Sequence, residues 1–184
     1  IQPAGDRFRI CLMGNRLDDE INDEMQIIIK HLLEEVPEAE LLFIGECPKT
    51  EKRMEHYADR CIFAGYVKKC EDAVASCSLF LNPPRKGGGG GGAMAINRGV
   101  PVYTMGDCDV ASCVGDEFIF DSYDELIPFV RRCIEDKGYF EQMKEACDKN
   151  LKIRADVDSL GNIERFCRQY TDIIKSGKNN ETNL

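Results

Sequence analysis

Positive charge is scarce in this 184-residue sequence, whose 24 lysines and arginines against 33 aspartates and glutamates give a net charge of −9. Proteins that bind nucleic acid present a basic patch, so we expect no nucleic-acid partner. Long hydrophobic runs are absent too, and the N-terminus lacks the charged-then-apolar pattern of a signal peptide. We therefore expect a cytoplasmic protein with no transmembrane segment.

Metal-binding motifs are also missing. The ten cysteines are scattered without a Cys-x-x-Cys pair, and neither His31 nor His56 lies at metal-motif spacing from a cysteine. Cys11, Cys61 and Cys133 stand in apolar stretches, where a reduced thiol packs as a small hydrophobic group. We expect free buried thiols, no metal and no cofactor.

Three common catalytic signatures are absent. The Gly-x-Ser-x-Gly elbow of a hydrolase does not occur. A nicotinamide fingerprint needs glycines after the first strand, but Gly14 is followed there by Asn-Arg-Leu. The phosphate loop of an ATPase needs Gly-Lys-Ser/Thr, whereas the six glycines at residues 87–92 lead into Ala-Met. A dehydrogenase and an ATPase are therefore disfavoured.

Strand-like and helix-like segments alternate along most of the chain. Strands are predicted at residues 7–14, 40–45, 61–66, 79–82, 100–105 and 117–120. Helices are predicted at residues 22–36, 52–59, 71–77, 92–98, 123–136, 139–151 and 158–174. Such alternation specifies parallel strands with helices on both faces. The predicted fold class is α/β, a doubly wound, Rossmann-like parallel sheet with a helical C-terminal segment.

The length fits one domain, which we predict over residues 1–175. Ser122 or Asp121 can cap the first of the C-terminal helices. Residues 176–184 have no apolar anchor, so we predict a disordered tail there. Because the sequence begins with Ile1 rather than Met, we interpret it as a fragment of a longer chain.

The run of six glycines at residues 87–92 is the most informative segment. Each ordered glycine costs roughly 0.5–1 kcal/mol relative to alanine, so six together need a physical reason. An apolar strand ends before them and a helix follows, which directs bare backbone N–H groups outward at a helix N-terminus. We interpret this segment as an anion site formed by close approach of the backbone to a ligand.

Three cations stand in the loops that leave the strands at the same edge of the sheet, namely Arg16, Arg85 and Lys86. Together with the glycine N–H groups they suit a diphosphate, although Arg16 and Lys86 also fit ordinary solvated surface charges. A nearby acidic cluster allows two interpretations, a cation site or negative charge at the positive end of the next helix, and the second is preferred. Its members are Asp18, Asp19, Glu20, Asp23 and Glu24.

Several motifs occur in an order that resembles the C-terminal, donor-binding half of GT-B glycosyltransferases of the group 1, family 4-like type. They are Gly-Asn-Arg-Leu, Leu-Leu-Phe-Ile-Gly, Phe-Ala-Gly-Tyr-Val, Asn-Pro-Pro-Arg, the glycine run and Asn-Arg-Gly-Val-Pro-Val. The resemblance covers most of residues 7–150. It implies a glycosyltransferase whose donor is a nucleotide-diphospho-sugar, and whose acceptor is bound by an N-terminal domain that this sequence lacks. The isolated domain is expected to bind its donor without catalysing transfer.

The resemblance also implies where the donor binds. The diphosphate would lie on Gly88, Gly89, Gly90 and Gly91 with Arg16, Arg85 and Lys86, and the nucleobase and ribose would lie near Tyr66, Val67 and Met94. No metal would be required, because helix dipole and cations neutralise the phosphates. No residue is assigned as a general base.

The sequence lacks three residues of the family pattern, namely two glutamates and one lysine. Lys86 and Met94 occupy the positions where many retaining members have glutamates, and Ile21 replaces a lysine. A thioether cannot accept hydrogen bonds from ribose hydroxyls as a carboxylate does. Two alternatives therefore stay open beside the transferase, namely a non-catalytic nucleotide- or phosphosugar-binding domain of the same fold and an unrelated phosphosugar-binding enzyme.

Overall fold

The computed structural model describes residues 5–87 and 89–155. Its centre is a six-stranded sheet in which every pairing is parallel. The strands are β1 (Phe8–Met13), β2 (Ala39–Ile44), β3 (Cys61–Phe63), β4 (Leu79–Leu81), β5 (Val102–Met105) and β6 (Ile119–Phe120). All six predicted strands are present, and the α/β fold class is confirmed.

The strand order is β3-β2-β1-β4-β5-β6, the order of a doubly wound sheet. β1 pairs with β2 on one side, with Ile10 beside Leu41, and with β4 on the other, with Ile10 beside Leu79. The chain therefore moves outward in one direction through β3 and in the other through β6. The order reverses between β1 and β4, and there the loops diverge to leave a crevice.

Each face of the sheet is covered by its own hydrophobic core. Along β1, Ile10 and Leu12 belong to one buried cluster, whereas Cys11 between them belongs to the other. This alternation follows from the two-residue period of a strand. The near-continuous apolar sequences of β1 and β2 thus reflect burial on both faces, as is usual for a parallel sheet.

Seven α-helices occur among the described residues. They are α1 (Leu17–Glu20), α2 (Asp23–Glu35), α3 (Pro48–Arg53), α4 (Cys70–Ala75), α5 (Gly89–Asn97), α6 (Leu126–Glu135) and α7 (Lys137–Ala155). Two predictions need correction. The polar helix predicted at residues 52–59 is α3 followed by a short 3-10 turn at Glu55–Tyr57, because Pro48 fixes a helical φ in the first turn. The helix predicted from residue 92 begins at Gly89 instead.

The helical C-terminal segment begins as predicted. The hydroxyl of Ser122 accepts a hydrogen bond from the N–H of Asp124 at 3.0 Å and so caps the turn that leads into α6. The described residues up to Leu151 form one compact unit. Of the second unit, residues 152–184, the structure describes only 152–155, the end of α7. The helix predicted at 158–174 and the tail at 176–184 lie outside the described residues.

Among the described residues, five cysteines are buried with free thiols: Cys11, Cys47, Cys61, Cys133 and Cys147. Cys11, Cys61 and Cys133 are the three whose burial was predicted from their apolar neighbours. Burial raises the pKa of Cys47, Cys61, Cys133 and Cys147 to about 12, so these thiols stay protonated at neutral pH. Within residues 5–87 and 89–155, no helix has the length and apolar character needed to cross a bilayer.

Candidate functional site

The crevice between β1 and β4 contains a cavity of about 350 Å³. Its walls come from the loop after β1, the loop after β4 and the first turn of α5. The lining residues are Met13, Gly14, Asn15, Arg16, Glu20, Arg85, Gly87, Gly90 and Gly91. The cavity therefore lies where open α/β sheets bind their ligands, beyond the carboxyl ends of the strands at the reversal of strand order.

Arg85 and Glu20 form a buried ion pair in the wall of this switch-point cavity. Their Nη2 and Oε2 atoms lie 3.3 Å apart, and the side chains are 7% and 9% exposed. Nε and Nη2 of Arg85 have no hydrogen-bond acceptor among the described residues. Burial lowers the pKa of Arg85, and the Glu20 carboxylate opposes that shift. The pair thus holds a desolvated positive charge with unused hydrogen-bonding capacity beside the cavity.

Gly14 makes room for this ion pair. A Cβ atom at Gly14 would lie 2.8 Å from Nη1 of Arg85 and 3.1 Å from Oε2 of Glu20. Both distances are below normal van der Waals contact, so a side chain at this position would displace the guanidinium. Gly14, which follows β1, therefore has a role in the site even though it belongs to no nucleotide fingerprint.

Arg16 lies on the open side of the same cavity. Its side chain is 68% exposed, and its Nη2 atom lies 3.6 Å from Oε1 of Glu20. Glu20 therefore contacts both arginines, one buried and one exposed. With two positive charges and one negative, the wall of the cavity carries a net positive charge that favours an anion.

Gly89, Gly90, Gly91 and Gly92 form the first turn of α5, and the described glycines of the run have different surroundings. A Cβ at Gly92 would lie 2.5 Å from Cγ1 of Val110, one at Gly91 would lie 2.9 Å from Cζ of Phe80, and one at Gly89 would lie 3.0 Å from Sγ of Cys113. These three glycines allow α5 to pack closely against its neighbours. Gly87 and Gly90 face open space, with no heavy atom within 4 Å of a Cβ.

The expectation that the glycine run forms an anion site stays a prediction, and the described glycines differ in what surrounds them. Close internal packing accounts for Gly89, Gly91 and Gly92, and the cavity is bordered by Gly87, Gly90 and also Gly91. Gly88 lies outside the described residues. Since the first N–H groups of a helix have no partner within it, the start of α5 still offers backbone donors at the crevice.

Lys86 lies on a second, larger cavity of about 600 Å³ beyond the carboxyl ends of β4, β5 and β6. It lines that cavity with Asn82, Arg85 and Tyr123, among others, and it does not line the switch-point cavity. The Tyr123 hydroxyl donates to the carbonyl of Asn82 at 2.6 Å, and burial raises the pKa of Tyr123. Arg85 lines both cavities and so marks where they adjoin.

Met94 lines a third cavity, a groove of about 440 Å³ along α4 and α5. Its lining residues are Glu71, Gly90, Ala93, Met94, Asn97 and Arg98. Gly90 belongs to both this groove and the switch-point cavity, so the two adjoin there. Tyr66 is 82% exposed and Val67 packs against a core cluster, and neither lines the groove or the switch-point cavity.

The structure thus brings Arg16, Arg85, Gly90 and Gly91 together and leaves Lys86 on the neighbouring cavity. The sequence interpretation missed Glu20, which it assigned with four other acids to the start of the next helix. Two of those acids, Asp23 and Glu24, do lie in the first turn of α2. The i, i+4 spacing of Arg16 and Glu20 was the available signal for an ion pair.

Asp18 from the same cluster has a structural role. Its carboxylate accepts hydrogen bonds from the N–H groups of Thr50 at 2.8 Å and Lys49 at 3.1 Å, at the start of α3. Within residues 5–87 and 89–155, no three His, Cys, Asp or Glu side chains are grouped closely enough to hold a metal ion. The acidic cluster is therefore divided among helix termini and the Arg85 ion pair.

Solved structures share this fold at low sequence identity. The C-terminal domain of a glycosyl transferase group 1 family protein, LpcC, from Francisella tularensis matches with a TM-score of 0.68 and 12% identity over 82% of this chain and 87% of that one. Anabaena Alr3699/HepE, solved with UDP and glucose, matches with a TM-score of 0.69 and 15% identity over 94% of this chain. A variant of Thermobaculum terrenum O-GlcNAc transferase matches with a TM-score of 0.69 and 18% identity over 92%.

The chain spans 49% of the HepE chain and 37% of the O-GlcNAc transferase chain. No protein-family model and no curated protein matches the sequence. The similarity at 12–18% identity concerns the course of the backbone. This chain therefore has the fold of the C-terminal domain of group 1 glycosyl transferases, the Rossmann-like half of the GT-B architecture.

Proposed function

We propose that this chain is the donor-binding domain of a glycosyltransferase and that its ligand is a nucleotide-diphospho-sugar. The observation that carries the proposal is the row of three adjoining cavities. The switch-point cavity shares Arg85 with the larger cavity and Gly90 with the groove. A ligand with a diphosphate at its centre and a bulkier group on each side matches this arrangement.

The diphosphate is assigned to the switch-point cavity because of its charge. The first N–H groups and the positive end of the dipole of α5, the exposed Arg16 and the buried Arg85 all favour an anion. Glu20 reduces this field without cancelling it, since it opposes two arginines. These groups would neutralise the diphosphate without a metal ion.

The proposed reaction is transfer of a sugar to a hydroxyl acceptor. The bond between the sugar anomeric carbon and the diphosphate oxygen breaks, and its electron pair leaves with the nucleoside diphosphate. The acceptor oxygen forms the new bond to that carbon, and the proton that it loses passes to the departing diphosphate or to water. Arg16, Arg85 and the start of α5 would stabilise the charge that develops on the departing diphosphate. The acceptor would bind to an N-terminal domain of the whole protein.

Titration with nucleoside diphosphates tests the proposal. Thermal unfolding of the chain is followed with UDP, GDP and inorganic pyrophosphate. A dissociation constant of about 100 μM would add about 2.7 kcal/mol of stability at about 10 mM ligand. We expect at least one nucleoside diphosphate to stabilise the fold more than pyrophosphate does. If none of the three has an effect, the proposed function is wrong.

A non-catalytic nucleotide-binding domain of the same fold is the second candidate. Its support is specific, since Lys86 and Met94 put an ammonium and a thioether where many retaining enzymes of this type have carboxylates. Substitution of both by glutamate, in the whole protein, distinguishes the two. A transferase that works through its arginines loses activity, whereas a domain without activity shows no turnover before or after the change.

A further inference from the structure

The larger cavity contains a thiol that the proposed sugar transfer does not use. Cys108 lies in the loop after β5, is partly exposed and lines this cavity. We infer that Cys108 is a modification site, at which it forms a reversible mixed disulfide with an amino-acid or short-peptide thiol. The cavity volume of about 600 Å³ lies within the range of about 300–1,000 Å³ usual for small-molecule sites.

Hydrogen-bonding groups surround the Cys108 sulfur. Nδ2 of Asn82 donates to Sγ at 3.4 Å, and the Thr104 hydroxyl lies 3.1 Å from the same atom. The thiol itself donates to the carbonyl of Met105 at 3.1 Å. These contacts hold the sulfur at the cavity wall. Asn82 and Thr104 can also donate to a thiolate, which is the attacking species in disulfide exchange.

Two buried side chains in the lining of the larger cavity point independently to a ligand. Oδ1 of Asn82, a residue only 1% exposed, has no hydrogen-bond partner among the described residues, and neither do Nε and Nη2 of Arg85. Buried polar groups are nearly always paired, so an open acceptor and open donors beside one cavity indicate a polar occupant. The N–H groups and carboxylates of a peptide thiol match them.

The charges of the lining favour an occupant that carries both signs. Arg85 and Lys86 are cationic, and three carboxylates line the same cavity, those of Glu24, Asp107 and Asp121. A purely anionic or purely cationic ligand would meet like charges there. An amino-acid or peptide thiol has an ammonium group and at least one carboxylate, so each of its charges finds a counter-charge.

The exchange step needs no oxidant other than the small disulfide itself. Cys108 gives its proton to water, and its Sγ attacks one sulfur of the disulfide. The bond from Sγ to that sulfur forms while the original S–S bond breaks. The electron pair leaves with the second sulfur, which takes up a proton as a free thiol. Cys108 is oxidised, the disulfide is reduced, and an excess of free thiol reverses the step.

The loop that carries Cys108 also contacts the start of α5. The N–H of Asp109 donates to the carbonyl of Lys86 at 3.0 Å, and a Cβ at Gly89 would lie 3.3 Å from the Asp109 carbonyl oxygen. Arg85 lines both the larger cavity and the switch-point cavity. Resting on the proposed function, we expect a group attached to Cys108 to compete for Arg85 and weaken diphosphate binding.

Reaction with oxidised glutathione tests the modification site. The full chain is incubated with this disulfide, and the rate at each cysteine is followed by mass spectrometry of its peptides. Cys113 is the matched control, because it is also partly exposed and close in sequence but does not line the larger cavity. Cys108 should react about tenfold faster than Cys113. With the uncharged bis(2-hydroxyethyl) disulfide this difference should be smaller.

A binding measurement follows the modification. UDP, GDP and pyrophosphate are titrated calorimetrically into the chain before and after reaction with oxidised glutathione. Affinity should fall about tenfold, as expected for loss of one charge-assisted contact, and a reducing agent should restore it. Cys108→Ser keeps a hydroxyl for the contacts with Thr104 and Met105, so this variant should fold and should keep its affinity after the same treatment.

The outcomes separate this inference from the proposed function. If Cys108 reacts no faster than Cys113, or shows the same advantage with both disulfides, the inference is overturned and the donor site remains. If the modified chain binds diphosphates with native affinity, the link to the switch-point cavity is wrong. If the unmodified chain binds no diphosphate, the proposed function is wrong, whereas the rates at Cys108 and Cys113 still decide the modification site.

Discussion

Arg85 and Glu20 lie 3.3 Å apart beneath the crevice, and both side chains are less than one tenth exposed. Arg85 belongs to the loop after β4 and Glu20 to the end of α1, which follows β1. The pair therefore connects the two loops that diverge at the reversal of strand order. It fixes the shape of the switch-point cavity and also supplies its buried charge.

Glu20→Gln should destabilise the protein. The change leaves the buried guanidinium of Arg85 without its counter-charge, at a cost of about 3–5 kcal/mol for a buried ion pair that has lost one partner. Chemical denaturation of the native and substituted chains measures the difference. Because the negative charge is lost from the cavity wall, diphosphate affinity should rise in molecules that remain folded.

The double substitution Glu20→Gln with Arg85→Met is the control for this prediction. Removal of both charges restores stability, since a buried pair often contributes little net stabilisation beyond an apolar replacement. Diphosphate binding should then fall below the native level. Equal stability of the native chain and the single Glu20→Gln variant would contradict a structural role for the pair.

Gly90→Ala and Gly92→Ala should have opposite effects on stability. Gly90 has open space around its Cβ position, and alanine in a helix is favoured over glycine by about 0.5–1 kcal/mol. A Cβ at Gly92 would lie 2.5 Å from Val110, so overpacking should cost about 1–3 kcal/mol. Urea unfolding measures both, and Val110→Ala should partly rescue Gly92→Ala.

Gly90→Ala also tests the place of Gly90 in the ligand site. The methyl group of Gly90→Ala projects at the border of the switch-point cavity and the groove, so nucleoside diphosphate affinity should fall although the fold becomes more stable. If the Gly90→Ala chain is stabilised and still binds nucleoside diphosphate with native affinity, Gly90 does not contact the ligand.

Arg16→Ala should weaken diphosphate binding with little change in stability. Its ion pair with Glu20 is solvent-exposed on the arginine side, and such pairs contribute about 0–1 kcal/mol. Loss of one charge-assisted contact should lower affinity by about tenfold. Arg53→Ala is the matched control, because Arg53 is half-exposed, pairs with Asp23 at 3.3 Å and does not line the cavity. Calorimetry should detect no change in affinity for that variant.

Asp18→Ala should remove a pH-dependent contribution to stability. Partial burial works to raise the pKa of Asp18, but hydrogen bonds from Thr50 and Lys49 outweigh it and hold the pKa below its ordinary value of 3.8. A group with a lowered folded-state pKa stabilises the protein above that ordinary value, and the contribution disappears as the pH falls through the folded pKa. At pH 7 the loss should be about 1 kcal/mol, as for removal of a helix cap.

Denaturation from pH 7 down to strongly acidic pH checks this prediction. The stability difference between native and Asp18→Ala chains should be constant at neutral pH and shrink once the pH falls below about 4. Asp19→Ala, an exposed neighbour, should show no such difference. A difference for Asp18→Ala that grows toward acid would contradict the assigned hydrogen bonds.

Much of the fold follows from local sequence patterns. The apolar runs of β1 and β2 and the alternation of strands with helices predict a doubly wound sheet, because a strand buried on both faces leaves an unmistakable hydrophobic signal. The start of α5 at Gly89 was not predicted, since glycine has low helix propensity. Close packing of Gly92 on Val110 overrides that propensity. Such a contact between distant positions cannot be predicted from a local sequence pattern.

The site was only partly predictable, because some of its contacts join residues that are far apart in the sequence. Arg16 and Arg85 could be identified because they follow strands that end at one edge of the sheet. Glu20 could not be distinguished from its acidic neighbours, because its partner Arg85 is 65 positions away along the chain. Lys86 follows Arg85 directly, yet only Arg85 is buried against Glu20 and lines the switch-point cavity, whereas Lys86 lines the larger cavity alone.

Amide chemical-shift mapping with a nucleoside diphosphate tests the central claim most directly. UDP or GDP is titrated into the isotope-labelled chain, and the backbone amides that move are located in the fold. The account predicts the largest shifts at Gly14, Arg16, Gly90 and Gly91, around the switch-point cavity, with smaller shifts at Glu71 and Met94 along the groove. Saturation without shifts at the switch-point cavity, or with shifts confined to another surface, would contradict a donor site there.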